Sequence, residues 1–160
     1  MAMGAWRIGA GLALLSIAAL AGATRREPPY WVSISASAAM LRTGPGTNFP
    51  ATWRYVRPGL PLRVVQLHAD WRRVVDPDGA EGWIRSNLLS DQRTGMVIGG
   101  IQPLYARPDS DSRIEWRAEP GVVGRVTSCD DGWCRFDVQG RVGYVDAHGL
   151  WGVAPNETFN

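Results

Sequence analysis

Three pairs of residues recur along this chain at nearly constant distance. Gly59 and Gly121 lie 62 residues apart, as do Trp71 and Trp133, while Gly82 and Gly143 lie 61 apart. An offset held so closely by two glycines and a tryptophan marks an internal repeat. Each unit is then limited to about 60 residues, a size at which one small core is marginally stable by itself. Two such units packed against each other are the expected solution, with Asp91 to Gly95 as the join.

From residue 30 onward no window holds apolar residues at helical spacing for three turns. Strand-length runs bounded by Gly, Pro, Asp or Asn recur instead, which predicts an all-β fold of small barrels. A short first strand is expected over Trp31–Ser35, where Val32 and Ile34 alternate with serines. The first unit then reads as strands at Ala39–Arg42, Trp53–Val56, Leu62–Leu67, Trp71–Asp76 and Gly82–Arg85. Turns fall at Arg57–Gly59, His68–Asp70 and Pro77–Ala80, the last containing the hairpin signal Asp78-Gly79. Ser86 to Leu89 closes the unit as one helical turn. The second unit repeats the order with strands at Leu104–Ala106, Val122–Ser128, Trp133–Val138 and Gly143–Val145. It lacks the glycine-rich loop, because Arg107 to Ser112 stands where the first unit has Thr43-Gly44-Pro45-Gly46-Thr47-Asn48.

All seventeen basic residues are arginine. Schiff-base chemistry and a lysine general base therefore have no candidate. A formal net charge of +2 without blocks of like charge gives no footprint for nucleic acid. The first 23 residues read as an export signal, with Arg7, an apolar run from Ile8 to Leu20, and the small residues Ala21-Gly22-Ala23 before a cleavage point after Ala23. The apolar run is short of the ~20 residues that span a bilayer, so contact with a membrane is expected only if the segment stays uncleaved. Arg25 and Arg26 directly after it oppose translocation and keep the uncleaved anchor as the rival reading. The expected location is the periplasm or the outside of the cell.

The stretch LRTGPGTNF over residues 41–49, the later Trp71-Arg72-Arg73-Val74 and the ending Gly82-Trp83-Ile84 resemble the bacterial SH3 (SH3b) family. The match runs well over residues 38–90 and loosely over 102–151. The sequence departs from the family pattern at Thr43, where a serine is usual, and at Arg72, where an aromatic is common. Tyr144 replaces the closing tryptophan in the second copy. The resemblance implies two tandem five-stranded SH3-like barrels. The domain map is a signal peptide at 1–23, a linker and first strand at 24–35, barrels at 36–91 and 96–153, and a tail at 154–160. It also implies a non-catalytic module that needs no cofactor and whose ligand is cell-wall peptidoglycan or its stem peptide. A rival of another class is an adaptor whose barrels dock a second exported protein.

Seven of the eight tryptophans lie beyond the export segment. Trp83 and Tyr144, each beside a glycine in a closing strand, are expected to be buried in the barrels. Trp71 and Trp133 alternate with Val74 and Phe136, which places them on the less buried face, where rigid aromatics serve as anchors for ligands. The candidate binding residues are Arg42, Asn48, Phe49, Tyr55 and Trp71, with Tyr105, Trp116 and Trp133 as weaker equivalents. Arg42, at the mouth of the glycine-rich loop, is suited to a bidentate grip on a peptide carboxylate.

Cys129 and Cys134 flank a four-residue loop, Asp130 to Trp133, between two expected strands. Facing positions beside a hairpin loop and an oxidising compartment predict a disulfide. The sharper alternative, a Cys134 nucleophile served by His148, would need a catalytic domain for which few residues remain. Three potential metal ligands, Cys129, Cys134 and His148, fall short of a structural zinc site. Asp109 and Asp111 lack the dense spacing of a calcium loop. His68 is expected to be a solvated turn residue.

Overall fold

The computed structural model describes residues 26–160. The expected export segment and its cleavage after Ala23 lie outside the described residues. The first sheet contains β1 (Tyr30–Ile34), β2 (Ala39–Arg42), β3 (Ala51–Tyr55), β4 (Pro61–His68), β5 (Trp71–Val75), β6 (Glu81–Arg85) and β7 (Leu89–Ser90). Its spatial order is β3-β2-β6-β5-β4-β1-β7. The second sheet contains β8 (Thr94–Val97), β9 (Gln102–Tyr105), β10 (Ile114–Ala118), β11 (Val123–Asp130), β12 (Trp133–Val138), β13 (Arg141–Asp146) and β14 (Leu150–Trp151). Its order, β10-β9-β13-β12-β11-β8-β14, repeats the first strand for strand. Each unit is therefore a small all-β barrel; in the first, β7 joins the six strands expected from the sequence, and in the second, β8, β10 and β14 join the four. β1 is an integral strand of the first sheet, and β8, which begins within the expected join, is its counterpart.

The anchors of the repeat have two physical causes. Gly59 and Gly121 hold φ of +83° and +85°, a left-handed backbone that costs glycine nothing. In that conformation Gly59 N–H donates to Ile34 O and Gly121 N–H to Val97 O, tying the turn before the long strand to the first strand of each barrel. Gly82 and Gly143 face the interior, where a Cβ would lie 2.7 Å from side-chain atoms of Leu41 and of Leu104 respectively. Side chains alternate across each sheet, and the inward set forms one core per barrel. Val32, Ile34, Leu41, Leu62, Val64, Val74 and Ile84 fill the first, and Val97, Leu104, Val126, Phe136, Val145 and Leu150 line the second.

Two turns differ in detail from the expectation. Asp130 and Trp133 pair across the ladder, so the loop beside the cysteines is the two-residue turn Asp131-Gly132, both residues at positive φ. The Asp78-Gly79 hairpin is wider than two residues. β5 ends at Val75 because buried Asp76 leaves the ladder and accepts from the N–H groups of Asp78 (3.0 Å) and Ala80 (2.7 Å).

The barrels meet through Trp31 and Trp151, edge to face with ring centroids 5.0 Å apart. Trp151 Nε1 donates to Pro61 O across the join (3.2 Å), and the Arg57 guanidinium donates to Gly121 O. The tail is also held. Cys129 and Phe159 exchange two backbone hydrogen bonds of 3.0 Å, while the Arg93 guanidinium grips both carboxylate oxygens of Glu157 and lies over the Phe159 ring.

Candidate functional site

The loop from Thr43 to Pro50 joins β2 to β3. Thr43 N–H donates to Pro50 O, Gly46 N–H to Gly44 O and Phe49 N–H to Gly46 O. The Phe49 ring lies over Gly44 and Gly46 while remaining 38 % exposed, and Asn48 stands exposed beside it. The Arg42 guanidinium donates to Thr47 O (3.2 Å) and Phe49 O (2.7 Å), both from the same Nη1. Arg42 therefore fastens the loop from below, and the fork expected to grip a carboxylate is partly committed to the chain's own carbonyls.

Strand register places one continuous row on the outer face of the first barrel. Arg42 pairs with Trp83, Trp83 with Arg73, and Arg73 with Gln66. The adjacent row is Arg85, Trp71 and His68, with the half-buried Trp71 in register between its two neighbours. Trp83 is buried, but it faces away from the interior that Gly82 and Ile84 face, and the His68 ring meets it edge-on at 6.2 Å. His68 is thus a strand residue against an aromatic. Glu81 neutralises Arg73 at 2.8 Å, whereas Arg85 makes no ion pair among the described residues.

The second barrel presents the same rows with different chemistry. Tyr105 pairs with Tyr144 and Tyr144 with Arg135, while Trp133 lies in register between Asp146 and Asp130. Tyr105 and Trp133 meet edge to face at 5.5 Å. The central tryptophan is thus kept and its flanking residues change from Arg85 and His68 to two aspartates. Charge over the two units follows: residues 26–91 carry eight arginines against six acids, and residues 92–160 seven against nine.

Tyr55 does not belong to this surface. It is buried in the first core, its hydroxyl donates to Asp76 Oδ2 at 2.8 Å, and burial together with that hydrogen bond pushes the phenol well above its ordinary pKa. Trp116 is half-buried against the second core, where Nε1 donates to Val142 O (3.3 Å). Its register partner is Leu104, just as Trp53 pairs with Leu41, so Trp116 and Trp53 are equivalent positions. Trp53 escaped the sequence reading, and it is 61 % exposed. Edge position was the missing signal, because alternation alone assigns Trp53 to the inner face.

Cys129 and Cys134 face each other across the ladder and are joined as a disulfide. Cys134 therefore offers no thiolate to His148, whose Nδ1 lies 2.8 Å from Asp146 Oδ1. Among the described residues no group of three or more His, Cys, Asp or Glu side chains is placed to hold a metal ion.

The bacterial SH3 domain family matches residues 35–91 and again residues 99–152. The chain belongs to the bacterial SH3 family. Both copies of the bacterial SH3 domain carry the repeated strand order, the positive-φ glycine and the core-facing glycine described above. No curated protein matches. The solved structures that the chain matches include NlpC2 from Trichomonas vaginalis, 12 % identical over 79 % of this chain and 49 % of that one, with a TM-score of 0.36. NlpC1 from the same organism is 13 % identical over 86 % and 50 %, with a TM-score of 0.35. An NlpC/P60 family protein from Bacillus cereus ATCC 10987 is 14 % identical over 76 % and 55 %, also at 0.35. The chain thus spans about half the length of each of these proteins.

Proposed function

We propose that this chain is a non-catalytic, exported binding module that takes cell-wall peptidoglycan through its stem peptide on the outer face of the first barrel. The observation that carries this reading is Trp71 set in register between Arg85 and His68 on the outer face, next to the row of Arg42, Trp83 and Arg73. A rigid aromatic between basic side chains suits a short peptide bearing apolar groups and free carboxylates. The site stands on paired strands and the loop beyond Arg42 is already fastened, so little ordering accompanies binding. The second barrel, with Asp130 and Asp146 in the equivalent places, would repel the same carboxylates. The ligand is therefore assigned to the first barrel.

A pull-down with purified cell-wall sacculi tests this assignment. Wild type is expected in the bound fraction, with strong depletion for Trp71→Ala and for Arg85→Asp and normal retention for Asp146→Ala. Equal recovery of all four proteins would remove the site.

A further inference from the structure

We infer that the uncovered half of β4 in the first barrel, residues 65–68, is a docking edge that takes an extended peptide strand carrying an aromatic side chain. The second barrel shows the occupied form of the same edge. There the tail lies along the end of β11, and Phe159 exchanges two backbone hydrogen bonds of 3.0 Å with Cys129. Register identifies the equivalent residue. Cys129 pairs with Cys134 just beyond the register shift between Val126 and Ser128, and Leu67 pairs with Arg72 just beyond the shift between Val64 and Gln66. The irregularity is common to both strands, so it does not prevent pairing at this edge.

β1 covers β4 only as far as Val64, which faces Tyr30. Pro28 and Pro29 stand where β1 would continue, and a proline has no N–H to donate to a neighbouring strand. Counting from the hairpin-closing pair of His68 and Trp71, alternation turns the N–H and C=O of Leu67 away from β5. Neither group has a hydrogen-bond partner among the described residues. A cavity of about 670 Å³ lies beside them, between Glu27 and Pro28 on one side and residues 65–69 on the other.

The chemistry of the occupant is read from the tail. Phe159 packs against the second core with the Arg93 guanidinium 4.4 Å from its ring, and Cys129 beside it is sealed at 2 % exposure. Leu67 packs against the first core in the same way, yet it stays only half-buried. Tyr30 takes the place of Arg93, since their partners Val64 and Val126 are equivalent, and the Arg26 guanidinium lies 4.7 Å from the Tyr30 ring. An incoming aromatic would meet Leu67 and this stacked pair, a setting that favours a ring over an aliphatic side chain. Backbone pairing supplies affinity and the side chain supplies selectivity, as in strand addition to other open sheet edges.

The tail's own sequence provides the probe. A fluorescein-labelled peptide of residues 154–160 is titrated into the full-length chain and followed by anisotropy, with amide hydrogen exchange of the complex. Saturable one-to-one binding is expected, with about tenfold or greater loss of affinity for the peptide carrying Phe159→Ala. Exchange at the Leu67 amide should slow on binding while the Cys129 amide is unchanged. Leu67→Pro removes an outward N–H and leaves the β4–β5 ladder bonds in place; it should abolish binding, and a cooperative thermal melt checks that the variant folds. Absence of saturable binding or equal affinity for the two peptides would overturn the proposal. So would protection arising at Cys129 in place of Leu67, or a Leu67 amide already as protected in the peptide-free chain as that of Cys129, because the edge is then covered by the chain itself. None of these readouts involves the Trp71 face, so the outcome is independent of the sacculus pull-down.

Discussion

A Cβ on Gly44 would lie 2.5 Å from Cε1 and 2.6 Å from Cγ of Phe49, so the ring and the glycine occupy space that only one side chain can fill. In the second barrel the same backbone path survives without glycine. Ala106 N–H donates to Arg113 O, Asp109 N–H to Arg107 O and Ser112 N–H to Asp109 O, matching the three bonds of the first loop at an offset of 63 residues. These bonds shift the alignment expected from the sequence by one residue, so that Ser112 stands where Phe49 stood, and Arg107 and Asp109 replace Gly44 and Gly46. Losing the ring is what permits a side chain at the Gly44 position; at Gly46 the closest neighbour is Asn48. Gly44→Ala is expected to cost about 1–3 kcal/mol through overpacking. Adding Phe49→Ser should recover most of that cost. Urea unfolding of both single variants and the double variant measures the coupling, and additive effects would contradict this account.

Tyr55→Phe removes the hydrogen bond that, among the described residues, alone satisfies Oδ2 of buried Asp76, while leaving the volume nearly unchanged. Destabilisation of about 1–3 kcal/mol is expected for the unsatisfied acceptor. The raised phenol pKa adds an alkaline signature. Its stabilising contribution is complete below the ordinary tyrosine value of 10.0 and is lost as the pH rises above it, because only the unfolded phenol then ionises readily. Wild type should therefore lose stability at alkaline pH more steeply than Tyr55→Phe, as followed by denaturant midpoints across that range.

The Cys129–Cys134 bridge closes a loop with a sequence separation of only 5. Chain entropy alone gives about 2 kcal/mol for so short a closure, near the low end for disulfides. Cys129→Ser with Cys134→Ser should lower stability by about that amount while leaving the first barrel's transition unchanged. Parallel melts of the oxidised protein and the double variant provide the comparison.

The repeat, most strands of the first copy and the outward-facing Trp71 and Trp133 are legible because they depend on alternation and on glycines with local causes, whereas β8, β10 and β14 of the second copy carry too short or too irregular a pattern to be read. What alternation could not convey was depth. Tyr55 and Trp53 are two residues apart on one strand and share its inner face, yet one is buried beside Asp76 and the other hangs past the edge of the core. Sequence position suits Arg42 to a peptide carboxylate, and nothing local reveals that the carbonyls of Thr47 and Phe49 take up its Nη1 once the loop has closed. The tail had no periodic signal at all; its place depends on Arg93, a residue 64 positions before Glu157.

That long-range pair gives the tail an acid-sensitive latch. The hydrogen bonds from Arg93 hold the Glu157 carboxyl below its ordinary value of 4.5, against the opposing effect of partial burial. A depressed carboxylate pKa contributes stability that is present above the unfolded value and lost as the pH falls through the folded one. Glu157 also accepts from Ala154 N–H through Oε2 at 3.1 Å, so protonation weakens both the grip of Arg93 and the turn that leads into it. The paired backbone of Phe159 and Cys129 should then open before either barrel unfolds. Hydrogen exchange followed at the Phe159 amide from pH 6 downward is expected to show protection, corrected for intrinsic rates, falling below pH about 4.5 in wild type. Glu157→Gln, which keeps the size and loses the charge, should show reduced protection throughout with little further change on acidification. A wild-type profile as flat as that of the variant would mean that the tail is held by Phe159 and its backbone bonds alone.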